Sequence, residues 1–290
     1  MQAARISAGK QEYLPLPKAA TTRAASGPSV DLDIAEGDAA LAAGNLRGAE
    51  AAFRRMLERH PDDYDALCGL ATTLTAGGDN LPAMLTYRRI VALRENDRTA
   101  RFNLAVALSR LERFDEARQE FLLLLRQNAD DVRARYNLGM ILAAQGKLDE
   151  ARHHLQGVVS RTDSLPSAYA ILGQVLTDLG DSEGAMEAYG KAASLQGDDI
   201  DTWKNYAVAA QAAGSYGRAI MAASRVTRLN SSDPAAWAYL GDLHMTVYQS
   251  TQKEHFLIQA RQAWTRSLSL NSDQQNVRAK LQAAPRPKEP

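Results

Sequence analysis

The chain has 290 residues, of which 45 % are hydrophobic, 23 % charged and only 6 % aromatic. Thirty-four basic side chains balance thirty-four acidic ones, so the formal net charge is zero. That balance argues against a dedicated binder of nucleic acid or of anionic membranes, which normally carries a large positive excess. A single cysteine, Cys68, excludes an internal disulfide framework, and no apolar run approaches the eighteen or so residues that would span a bilayer.

Residues 1–29 are predicted to form a flexible basic tail. Pro15, Pro17 and Pro28 break any periodicity, and Arg5, Lys10, Lys18 and Arg23 face the single acid Glu12. The stretch has no apolar core of the kind a secretory leader needs, so the expected location is cytoplasmic. A periplasmic or envelope-associated location is the alternative if the native N-terminus lies further upstream. The acid-poor make-up also shares features with an organellar transit peptide, and the cluster Tyr13-Leu14-Pro15-Leu16-Pro17 with a docking segment; a plain linker is the simpler reading.

From residue 30 the chain repeats. Ala49, Ala83, Ala117, Ala151, Ala185 and Ala219 stand 34 residues apart. Four residues after each comes Phe53, Tyr87, Phe121, Leu155, Tyr189 and, as the exception, Ala223; twelve before each stands Gly37, Ala71, Ala105, Gly139, Gly173 or Ala207. A constant period of this length means one supersecondary unit copied end to end. Apolar spacing predicts two helices per unit, for example over 132–145 and 148–160. Between them a left-handed glycine ends the first helix, at Gly44-Asn45, Gly77-Gly78, Gly146-Lys147, Gly180-Asp181 and Gly214-Ser215. Gly139 and Ala151 are expected to mark the closest approach of the two backbones, and the bulky residue four after the alanine to fill the gap to the next unit. One hairpin cannot bury its apolar face alone, so neighbours must stack.

The seventh unit starts near Pro234 but runs late. Ala260 and Trp264 take the parts of the alanine and the bulky residue seven positions beyond the regular register. The surplus is expected in a lengthened hairpin loop over 248–255, a tolerated insertion or else a partner contact, since loops lengthen at small entropic cost. Residues 274–284 read as a polar capping helix, and 285–290 as a disordered end.

Little in the chain points to chemistry. His60, His153, His154, His244 and His255 are the only histidines, and no Cys/His or carboxylate cluster has metal-ligand spacing. No phosphate loop or nucleophile elbow is present, and Cys68 reads as a small filler. The expectation is a protein that is not an enzyme and needs no cofactor or metal.

A 34-residue helix-turn-helix with a small residue at its eighth position, Ala at its twentieth and an aromatic at its twenty-fourth resembles the tetratricopeptide repeat. Trp203 and Trp237 match its fourth position, Leu138-Gly139, Leu172-Gly173 and Leu240-Gly241 its seventh and eighth, and Pro61 its thirty-second. The resemblance covers about residues 30–274. It implies an all-α fold: a right-handed superhelical α-solenoid of about seven repeats, near 30–63, 64–97, 98–131, 132–165, 166–199, 200–233 and 234–274, followed over 275–290 by the capping helix and tail.

The resemblance also implies a protein-interaction scaffold or adaptor that holds an extended peptide segment of a partner in a concave groove lined by first helices. Carried over by register, the third unit offers Phe102, Asn103, Val106 and Arg110, the fourth Arg133, Tyr136, Asn137 and Met140, and the sixth Lys204 and Asn205. Asparagine amides both donate and accept, so they suit a peptide backbone; Arg110 and Arg133 suit a carboxylate or phosphate. The ladder breaks at Ile171. A clamp for acidic chaperone tails is disfavoured, because units two to four present Cys68, Thr72, Asn103, Arg133 and Asn137 where that clamp wants Lys, Asn, Asn, Lys and Arg. The Ala- and Arg-rich composition points to a bacterial chain, and bacterial members of the family assist assembly of multiprotein machinery. A self-associating structural oligomer and a helical-repeat RNA binder stand as alternatives, and oligomeric state stays open.

Overall fold

The computed structural model describes residues 28–287, with side chains from Leu32 onward. The expectations for the tail over 1–27 lie outside the described residues. Among those described there are fifteen α-helices and no strand. The chain divides into two compact units, the first ending at Arg161 and the second beginning at Thr162.

The first unit comprises α1 (Pro28–Ala42), α2 (Leu46–Arg59), α3 (Tyr64–Gly77), α4 (Asn80–Leu93), α5 (Arg98–Arg110), α6 (Phe114–Gln127), α7 (Val132–Ala144) and α8 (Leu148–Val159). Each helix packs on the next, while α1 also touches α3 and α5 touches α7. Of the even-numbered helices, α2, α6 and α8 are amphipathic, while α4 also exposes Leu81, Leu85 and Leu93. α2 buries Ala49, Ala52, Phe53 and Met56, and α8 buries Ala151, Leu155 and Val158, the three- and four-residue spacing of one helical face. α7 differs: Tyr136 through Ala143 are all buried.

A bulky side chain fills most of the space that the small residues leave. A Cβ added to Gly139 would meet Leu155 Cγ at 2.8 Å, and one added to Gly37 would meet the Phe53 ring at 2.6 Å. Beside the close approach expected at Gly139 and Ala151, the glycine provides a seat for the bulky residue four positions later, whose backbone nitrogen also comes within 3.6 Å of that Cβ position. Phe53 also reaches Gly69, whose Cβ would stand 2.3 Å from the same ring, so this ring wedges between one hairpin and the next.

An aspartate recurs just before the first helix of most hairpins. Asp63, Asp97 and Asp131 accept at Oδ1 from the backbone N–H of Ala66 (2.8 Å), Ala100 (3.0 Å) and Ala134 (3.0 Å), satisfying donors that a helix start leaves open. The second oxygen reaches back. Tyr64 Oη donates to Asp97 Oδ2 at 2.5 Å, and Arg98 Nη2 to Asp131 Oδ2 at 2.7 Å.

The second unit comprises α9 (Pro166–Asp178), α10 (Ser182–Leu195), α11 (Ile200–Ala212), α12 (Tyr216–Leu229), α13 (Pro234–Thr251), α14 (Glu254–Leu270) and α15 (Gln275–Ala283). Its hairpins use the same seat: Cβ atoms at Gly173 and Gly241 would meet the rings of Tyr189 at 2.9 Å and Trp264 at 2.5 Å. The surplus of the seventh repeat is not a loop. α13 and α14 are 18 and 17 residues long, and only Gln252 and Lys253 separate them. Gln252 takes the left-handed conformation (φ 56°) that glycine supplies in five other hairpins, as does Glu112 (φ 57°) between α5 and α6. α15 closes the unit: Val277 packs with Ala260 and Trp264, and Lys280 pairs with Asp242 at 2.7 Å.

Candidate binding face of the first helices

In the first unit most of the expected contact residues lie in the interior. Phe102 is buried because its ring meets Phe121 edge-on, with centroids 5.5 Å apart. Val106, Tyr136, Asn137 and Met140 are buried as well, so these five form the packing of α5 and α7 and offer no contact surface here. Asn103 is half-buried and interacts with the Tyr87 hydroxyl, which also lies 3.3 Å from Thr75 Oγ1. Arg133 is half-buried and Arg110 exposed. The expected centre on units three and four is thus reduced to Asn103, Arg110 and Arg133.

Burial shifts the phenols of Tyr64 and Tyr87 and the thiol of Cys68 in this unit. Burial pushes the Tyr87 phenol upward. Burial, then the adjacent Asp97, raises Tyr64, whose ring carries the Arg94 guanidinium 3.4 Å from its centroid. Burial pushes the Cys68 thiol up to about 11. A nucleophilic cysteine has the opposite shift. Among the described residues no group of three or more His, Cys, Asp or Glu could hold a metal ion.

In the second unit the corresponding face is open. α11 buries Thr202, Tyr206, Ala207, Ala209 and Ala210, whereas Lys204, Asn205 and Val208 are exposed, Val208 by 54 %. Lys204 Nζ lies 3.4 Å from Asp233 Oδ2, while Asp233 Oδ1 accepts from the N–H groups of Ala235 (2.9 Å) and Ala236 (3.3 Å). Tyr239 Oη donates to Gln211 Oε1 at 2.7 Å. Both polar links tie α11 to α13 and leave an uncharged strip between them. Of the residues expected from the sequence, only Lys204 and Asn205 are brought together on an accessible surface. Tyr239 was missed, although it stands 34 residues after Asn205, at the next rung of the same ladder; its aromatic ring hid it among the asparagines.

The repeat and its hairpin geometry have counterparts. A model of the tetratricopeptide repeat family matches residues 34–98, 83–132, 102–166 and 136–199, an unbroken run over more than half of the chain. The chain belongs to the tetratricopeptide repeat family. This fold serves in general as a non-enzymatic scaffold for protein interaction. A comparison with curated proteins finds no match.

Among solved structures, the C-terminal part of a tetratricopeptide repeat-containing protein from Cytophaga hutchinsonii is similar with a TM-score of 0.69 and 13 % identity, over 86 % of this chain and 99 % of that one. A tetratricopeptide repeat protein from Parabacteroides merdae gives 0.60 and 16 %, over 88 % and 98 %. YrrB, described as having an unusual peptide-binding site, gives 0.57 and 15 %, over 68 % and 97 %. At these identities the likeness shows the shared fold alone. Among the described residues, no helix is long and apolar enough to cross a membrane.

Proposed function

We propose that this tetratricopeptide repeat protein is an adaptor that holds an extended peptide segment of a partner protein along α11 in its second unit and helps assemble a multiprotein complex. The observation that carries the reading is the exposure of Lys204, Asn205 and Val208 side by side on a first helix. Lys204 donates, Asn205 both donates and accepts, and Val208 supplies apolar area; a peptide backbone with a side chain turned inward matches that set. YrrB supports the reading to this extent, that the same fold carries a peptide-binding site in another protein. In the first unit Asn103, Arg110 and Arg133 keep some accessible surface as separate positions, where the two arginines suit a carboxylate or phosphate.

The test is capture of a partner by the immobilised chain, with the bound segment mapped and then titrated as a synthetic peptide. Lys204→Ala combined with Asn205→Ala is expected to weaken that peptide's binding about tenfold or more, the effect of losing one or two charge-assisted or amide hydrogen bonds. Circular dichroism should not change, because both side chains are exposed. Equal affinity of the double variant and the parent would refute this assignment. Concentration-dependent assembly of the chain alone, with no captured partner, would favour the structural oligomer instead.

A further inference from the structure

One place in the repeat is filled everywhere but once. Phe53, Tyr87, Phe121, Leu155 and Tyr189 occupy it in successive hairpins and Trp264 in the last, all buried. In the hairpin of α11 and α12 the residue is Ala223, opposite Ala207 where other hairpins carry the glycine or alanine seat. A cleft of about 290 Å³, open on one side, lies over that place; Ala207, Ala223 and Val226, themselves buried, form its base, and Ala236 and Tyr239 of α13 line its side. The Lys204–Asp233 ion pair lies at its rim, and exposed Val208 marks its open side.

The helices around it are held in place by polar ties. Arg225 on α12 donates to the carbonyl of Gly197 through Nη2 at 2.9 Å, and Trp203 on α11 donates to the same oxygen at 3.1 Å. Tyr239 is tied to Gln211 and Lys204 to Asp233. These links tie α12 to the turn before α11, and α13 to α11.

We infer that the cavity is a socket for one phenylalanine-, tyrosine- or leucine-sized side chain of the partner segment proposed above, set in an uncharged stretch. Size supports the match: an apolar cavity of about 150 Å³ accepts a benzene ring, and the same place in the other hairpins holds a phenyl, phenol, isobutyl or indole group. The walls offer almost no polar group, and the Tyr239 hydroxyl is already engaged. At the rim, lysine and aspartate neutralise each other, so flanking charges on the peptide gain nothing, whereas its amide groups find both a donor and an acceptor. The partner's side chain thus supplies the knob that this repeat lacks. The inference rests on the adaptor reading, but its test does not.

The probe is N-acetyl-L-phenylalaninamide, with N-acetylglycinamide as the control, titrated into the full chain carrying ¹³C-labelled alanine methyls. Saturable shifts of the Ala207, Ala223 and Ala236 methyls with the phenylalanine probe, and their absence with the glycine probe, are expected. Ala223→Phe plugs the socket and should abolish the response of Ala207 and Ala236 while raising the melting temperature. Should that variant fail to fold, Ala223→Leu takes its place. No saturable shift, equal shifts with both probes, or shifts that persist in a folded plugged variant would overturn the socket. A partner captured equally well by the parent and by the plugged variant would also overturn it while leaving the adaptor reading intact. Saturable methyl shifts in a chain that captures no partner would uphold the socket and remove the adaptor.

Discussion

Tyr64 donates its hydroxyl hydrogen to Asp97 Oδ2 across 2.5 Å, thirty-three residues along the chain, while Asp97 Oδ1 caps α5. One carboxylate thus starts a helix and fastens it to the preceding hairpin. Tyr64→Phe removes only the second of these tasks. Hydrogen bonds to charged groups contribute about 1.5–3 kcal/mol, less where water reaches them, so a loss of about 1–2 kcal/mol is expected. Chemical denaturation would read this as a lower midpoint at unchanged slope.

Asp131 allows the two tasks to be separated. Asn is as good an N-cap as Asp, so Asp131→Asn keeps the bond to Ala134 and loses the ion pair to Arg98, at an expected cost below about 1 kcal/mol for a partly exposed pair. Asp131→Ala loses both and should cost about 1 kcal/mol more. A thermal melt of the two variants against the parent orders them; equal losses would show that the cap contributes nothing.

Two glycines should respond in opposite directions to alanine. In Gly173→Ala the new methyl meets the Tyr189 ring at 2.9 Å, so overpacking of about 1–3 kcal/mol is expected. At Gly217, exposed near the start of α12, an added methyl would have nothing within 4 Å. There alanine restricts the unfolded chain and should stabilise by up to about 1 kcal/mol. Denaturation midpoints that fail to move apart would contradict the seat described for Tyr189.

Stability should fall as the solution is acidified below neutrality. Burial, then the nearby Arg135 and His153, lowers His154 to about 4, and burial, then His255, lowers His244. The unfolded chain therefore binds these protons first. Below the ordinary histidine value near 6.5 each further drop in pH favours unfolding, and the slope from His154 ends near 4. Above about pH 7 both groups are neutral in either state and contribute no slope. Urea midpoints at pH 7.5, 5.5 and 4.5 should decline in that order, and His154→Gln should flatten the decline.

The hairpins were legible because their signal is local and repeated. Small residues at a 34-residue period, with a bulky residue four positions on, announce paired helices, and the predicted 132–145 and 148–160 differ from α7 and α8 by one residue at the far end of each. What a periodic pattern does not carry is which face of a first helix is covered. Phe102 has the register of a groove residue and the surroundings of a core residue, since Phe121 waits on the next helix. Asn137 is polar and buried; polarity alone pointed outward. The surplus over 248–255 read as a loop because it is polar, yet a polar stretch can extend two helices when each gains another turn on its neighbour. The aspartates before α3, α5, α7, α11 and α13 share the same period and were legible, but an apolar register directs attention away from them. Ala223 stood out in the sequence as an exception; the cleft above it is formed by side chains of three helices, and no single-residue exception announces how those helices are spaced.

The double duty of Asp97 and Asp131 makes length in this chain quantised. Duplicating residues 64–97 or 98–131 as whole repeats returns a carboxylate to the front of a helix with Tyr64 or Arg98 behind it. Any other change of length strands both oxygens at once. At these two junctions a change of length by whole periods preserves both bonds, whereas at α13 and α14 two helices grow together and the rhythm is absorbed before the array ends.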